Sequence, residues 1–143
     1  GYNFGAKQYD RVLKTFKYTV FYAVGITTLG FLLGEIFPTL LVSLFTSDSE
    51  LIRLSKEGLQ ISVAVFPIVG FQMVVSQFFQ SIGKARQAVF LSVSRQILFL
   101  LPVLFILPNF FGAIGVWMSM PVSDFLATAV AFVLIIKQLN KLK

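Results

Sequence analysis

Charged side chains are so sparse in this sequence that the long gaps between them decide what it can fold into. From Tyr18 to Phe45 the only charge is Glu35, and from Gly58 to Gly83 there is none. After Arg86 an apolar run reaches Leu107, broken only by Arg95, and from Ala113 to Ile136 the only charge is Asp124. Each gap has at least the ~20 apolar-dominated residues with which a helix crosses about 30 Å of hydrocarbon. Composition agrees: 57% of the 143 residues are hydrophobic and 13% are charged, too few polar groups to clothe a soluble domain of this size. Continuous runs rather than short alternating ones exclude a spanning barrel, so the backbone must be satisfied within helices. The expected fold is all-α and integral to the membrane. It has four antiparallel transmembrane helices, at about 18–45, 58–82, 87–107 and 113–136, preceded by a cytoplasmic loop over 1–17.

The connections are short. Thr46 to Glu57 contains Ser47, Asp48 and Ser49 as helix-capping chemistry, Ser81 to Gln87 contains Gly83, and Pro108 to Gly112 reads as a tight turn. Lys7, Arg11, Lys14, Lys17, Lys84, Arg86, Lys137, Lys141 and Lys143 all fall on one side of the membrane. The other side has only Arg53 and Lys56, offset by Asp48, Glu50 and Glu57. This asymmetry places both ends and the second loop in the cytoplasm of a multi-pass protein of the cell inner membrane. The net charge of +6 follows from topology, with membrane lipids as partners and no nucleic acid. The absence of cysteine and histidine removes disulfides, thiolate and imidazole metal sites and histidine relays, so neither a metal site nor a cofactor is expected. No constellation of nucleophile, base and orienting group suggests an enzyme. The first twenty residues carry five charges and no cleavable apolar core. Gly1 to Lys17 reads as a loop entered in mid-course, so the sequence is expected to be an incomplete fragment.

Within the helices, Pro38, Pro67, Pro102 and Pro121 are each read as internal, one to a helix. Each would remove a donor and free the carbonyl four residues earlier. Pro67 with Gly70 is the candidate hinge, because together they weaken one turn of a helix without charge. Small residues at Ala23, Thr27, Gly30 and Gly34, and at Ser123, Ala127 and Ala131, mark faces that pack on protein. Gln72, Ser76 and Gln80 recur at four-residue spacing as one polar stripe, explained equally by interhelical hydrogen bonds or by a water-accessible pathway. Arg95 and Asp124 are the deep charges, about 13 Å and 20 Å from the cytoplasmic Arg86 and Lys137 by helix rise. An isolated carboxylate at that depth requires a partner or water, and Arg95 is close enough in depth to supply one. Glu35, about 27 Å beyond Lys17, reads as interfacial. The candidate translocation pathway is therefore Gln72, Ser76, Gln80, Arg95 and Asp124.

Several stretches resemble the multidrug and toxic compound extrusion (MATE) family. They are Gly1-Tyr2-Asn3-Phe4-Gly5-Ala6-Lys7, Leu44-Phe45-Thr46-Ser47-Asp48-Ser49-Glu50-Leu51, Phe78-Phe79-Gln80-Ser81-Ile82-Gly83-Lys84-Ala85, and Ser94-Arg95-Gln96 followed by Pro102 and Gly112-Ala113-Ile114-Gly115-Val116-Trp117. The resemblance implies the last four helices of the C-terminal lobe of a twelve-helix, two-lobe transporter. Its partners would be the missing N-terminal lobe, the first two helices of the C-terminal lobe, and cationic small-molecule substrates. It implies secondary active efflux of amphipathic organic cations by antiport against Na⁺ or H⁺. One branch of the family places an acidic residue in the helix matching Gly58 to Gly83, where this sequence has none, so the coupling ion is expected to bind outside this segment. The alternatives are a lipid-linked saccharide flippase of the same superfamily and a four-helix membrane scaffold that transports nothing.

Overall fold

A computed structural model describes residues 1–142, so Lys143, the last of the basic residues named for the cytoplasmic side, lies outside the described residues. Among them the chain is helical, with no strand. A single turn, α1 (Tyr2–Gly5), leads into α2 (Tyr9–Ile36). Next come α3 (Pro38–Ser43), α4 (Ser49–Val63), α5 (Phe66–Ser81) and α6 (Ala85–Val93). A π-helical segment, Ser94–Leu100, passes without a turn into α7 (Leu101–Phe111), and α8 (Ala113–Leu139) ends the described chain. Three elements are long and apolar enough to cross a membrane: α2, the continuous Ala85–Phe111 and α8. The α4–α5 pair, bent by 51°, makes a fourth if it is taken as one span.

The helix ends differ from those read off the charges, and each difference has a local cause. The first helix begins at Tyr9, inside the stretch expected to be loop, because charge marks where the apolar run ends and not where helical hydrogen bonding ends. Its lower turns are held by Val12, which is buried in the core. The same helix stops at Ile36 and not at Phe45: Phe37 leaves helical geometry (φ −120°, ψ 40°) and Pro38 opens α3. The second begins at Ser49, directly after Asp48, whose carboxylate accepts from the N–H groups of Glu50 (2.9 Å) and Leu51 (3.1 Å). The third runs on to Phe111 and carries Pro108 inside it, and the turn contracts to Gly112 at φ 62°, a left-handed value that suits glycine. The fourth extends to Leu139. Of the four prolines read as internal, Pro121 lies inside α8, and Pro102 sits where the π-helical segment passes into α7. Pro38 and Pro67 instead open α3 and α5, at first or second helical positions where the missing donor costs nothing.

The main core lies at the basic end. Val12 from α2, Val75 and Phe79 from α5, Leu91 from α6, and Ala131 and Ile135 from α8 form one buried cluster, with Phe16 edge-on to Phe78 beside it. Toward the other end the helices approach through small residues. A Cβ on Gly58 would fall 2.5 Å from the Trp117 ring, and one on Gly70 would fall 2.8 Å from the Ala23 carbonyl and 2.5 Å from the Thr27 hydroxyl. The small-residue face of α2 therefore meets α5, and Ser123, Ala127 and Ala131 are buried on α8. Outward surfaces are apolar: Phe21 is 72% exposed and Phe110 77%, which suits contact with lipid or with other membrane helices.

Candidate functional site

The two deep charges meet. Arg95, second residue of the π-helical segment, donates from Nε to Oδ1 of Asp124 on α8 at 2.6 Å. The Asp124 side chain is 8% exposed and that of Arg95 34%, so the carboxylate is enclosed while the arginine side chain is only partly covered. The bond uses Nε alone and not the two-pronged grip of which arginine is capable. Asp124 is thus paired through a single cationic hydrogen bond from a partly exposed arginine.

Local structure explains why the pair forms. A π-helical segment accommodates an extra residue per turn and rotates the later side chains about the helix axis. It ends just before Pro102, whose ring would crowd the carbonyl of Leu98 in a regular α-helix. On α8 the hydroxyls are satisfied within their own helix: Ser119 donates to the carbonyl of Gly115 (2.7 Å), Ser123 to that of Met120 (2.8 Å) and Thr128 to that of Asp124 (2.7 Å). Ser94 donates likewise to the carbonyl of Leu91 at 3.1 Å. No competing side-chain donor therefore occupies the Asp124 carboxylate among the described residues.

The other candidates lie in different environments. Gln72 is buried, Ser76 is half-buried with its hydroxyl 3.4 Å from that of Ser92 on α6, and Gln80 is exposed. Among the described residues no hydrogen bond joins any of the three to Arg95 or Asp124, so the stripe and the ion pair are separate features. Pro67 follows the break at Ala64 and Val65, where the 51° bend lies. Gly70 has a packing reason: any side chain there would strike the backbone of α2. Glu35 is half-buried, and its backbone carbonyl accepts from Gln60 at 3.3 Å. One contact gave no sequence signal. Lys84 Nζ donates to Oε1 of the buried Gln138, tying the α5–α6 loop to the end of α8. Lysine at a helix boundary and glutamine in a basic tail look like ordinary solvated residues until the fold joins them.

The pattern of the MatE family matches residues 1–106 of the chain. The chain belongs to the MatE family. No curated protein matches it. It is similar to the MATE multidrug transporter DinF-BH, solved with a ligand bound, with 40% identity and a TM-score of 0.82 over 96% of this chain and 31% of that one. The Vibrio cholerae MATE transporter VcmN, solved in the bent form, shares the fold at a TM-score of 0.87 and 24% identity, over 98% of this chain and 32% of that one. The chain thus spans about a third of the length of the solved transporters it matches. MatE membership makes it a multi-pass membrane protein of a transporter family, and its apolar helices agree.

Proposed function

We propose that this MatE chain is part of a secondary active exporter that carries amphipathic organic cations out of the cell in exchange for Na⁺ or H⁺. In this reading it supplies the last four, antiparallel helices of the C-terminal lobe of a twelve-helix transporter, with both ends cytoplasmic. The coupling ion binds in the part of the protein outside this segment. The observation that carries the reading is the enclosed Asp124 carboxylate held by one bond from a partly exposed arginine. A buried ion pair is a poor structural element, because its desolvation cost rivals its Coulomb gain, and its carboxylate is a natural place for a cation to exchange. The similarity to DinF-BH, a multidrug transporter 40% identical to this chain, supports a multidrug cargo.

During the cycle the cationic cargo takes the place of Arg95 against Asp124, and Arg95 retreats toward the surroundings it already touches. Efflux of a cationic dye by the complete protein, carrying Arg95→Gln, Asp124→Asn or both, tests this. Impaired efflux in single variants present at normal levels supports the exchange. If both singles fail to fold and the double variant folds and exports normally, the pair is a structural cross-link only and the proposal falls.

A further inference from the structure

The continuous Ala85–Phe111 helix and α8 are joined by side chains at two places. One is the ion pair between Arg95 and Asp124, and the other is the bond from Lys84 Nζ to Oε1 of Gln138. Arg95 lies eleven residues after Lys84, and Asp124 lies fourteen before Gln138. By helix rise the two joints are therefore about 17 Å apart on one helix and about 21 Å apart on the other. The four-carbon stem of a lysine is long enough to take up that difference. Neither partner of the second joint is loose. The N–H of Lys84 donates to the carbonyl of Phe79 at the end of α5 (2.9 Å), and its carbonyl accepts from the N–H groups of Gln87 (3.1 Å) and Ala88 (3.2 Å) in the first turn of α6. Gly83, at φ 77°, makes the corner that allows this. Gln138 is buried, and Ile82, Ala88, Ile135 and Leu142, which flank the two residues in sequence, all belong to the buried cluster. Lys84 forms no ion pair among the described residues, so Gln138 is the side chain that holds its ammonium group.

We propose that Lys84 and Gln138 are positioning residues for the ion pair: their bond sets the axial register of the Ala85–Phe111 helix against α8 and so brings Arg95 to Asp124. A bond made by Nε alone depends on register, because one donor has to meet one oxygen. A slip of a single residue's rise, about 1.5 Å, exceeds the tolerance of a hydrogen bond unless the arginine side chain reorients. Packing alone holds that register weakly. Between the two joints α8 buries Ala127, Ala131 and Ile135, and the two alanines are too small to resist sliding. The start of the other helix, α6, packs chiefly on α5, whereas the π-helical segment packs on α8. A polar pin at the far end supplies what these contacts lack, and fixing register is the best-attested use of a buried polar contact. The inference concerns the ion pair as it stands in this structure and is independent of what the protein carries.

The test uses the complete protein with isotope-labelled arginine. NMR identifies the Arg95 Nε–H signal by its absence from Arg95→Gln and measures how fast that hydrogen exchanges with solvent. Lys84→Met and Gln138→Leu should each speed the exchange about tenfold, the equivalent of losing one hydrogen bond to a charged group. Lys137→Met, which removes a neighbouring exposed charge and leaves the Lys84 bond intact, should not change it. The exchanged pair Lys84→Gln with Gln138→Lys should restore slow exchange, because it rebuilds the bond in the opposite sense. Exchange unchanged in either Lys84→Met or Gln138→Leu, or equally accelerated in Lys137→Met, overturns the proposal. If the single variants fail to assemble, the exchanged pair decides: assembly with slow exchange supports the positioning role, and fast exchange or failure to assemble overturns it.

Discussion

Removing Arg95 strands a carboxylate that is 8% exposed, whereas removing Asp124 strands an arginine that is 34% exposed and long enough to reach water or headgroups. Loss of one partner of a buried pair costs on the order of 3–5 kcal/mol, and water access reduces that. Arg95→Gln should therefore lower thermal stability in detergent by about 3 kcal/mol and Asp124→Asn by about 1 kcal/mol or less. Equal losses would mean that the two charges share one environment. Gly70→Ala should also destabilise, by about 1–3 kcal/mol, because the clash is with the immobile Ala23 backbone. The ion pair was legible in the sequence, as two charges at similar depth on consecutive helices, but the unequal burial of its members was not. Gly70 read as a source of flexibility, and only the neighbouring helix shows that it is a point of contact. The bond between Lys84 and Gln138 was illegible for the same reason, since its partners are 54 residues apart and each is ordinary alone.

Apolar runs located the spans, but proline chemistry and capping set where helices begin and break. Asp48 was readable as a cap, yet the nearby charges Glu50, Arg53, Lys56 and Glu57 disguised the helix they belong to. Those charges decorate the first turns of α4, where Glu50 and Arg53 pair at 2.7 Å in the open. The π-helical segment left no readable pattern, since it arises from Pro102 and from packing against α8, not from composition. The bend between α4 and α5 is the feature most open to experiment. An alanine at position 67 would restore a donor for the Val63 carbonyl and permit a continuous helix. Pro67→Ala should reduce the 51° bend, read as a changed spin-label distance between Leu54 and Met73, and slow turnover at normal expression. An unchanged distance would assign the bend to packing by Gly34 and Gly70 and not to proline.

The uneven distribution of basic residues predicts how the protein sits in the membrane, and the fold gathers the described members of the larger set at the end that holds the buried core. Single cysteines replacing Ser49 and Asn109 should react with an impermeant maleimide applied outside intact cells, and one replacing Lys84 should not. Labelling at position 84 from outside would reverse the orientation. The basic end holds the aromatic and aliphatic cluster, whereas the break between α4 and α5 lies farther from it along the chain axis. The most direct measurement is equilibrium binding of a fluorescent organic cation to the purified complete protein, wild type against the two single variants. If cargo and Arg95 compete for Asp124, Arg95→Gln binds the dye about tenfold more tightly and Asp124→Asn about tenfold more weakly. Changes of the same sign in both variants, or no change in either, would contradict the exchange.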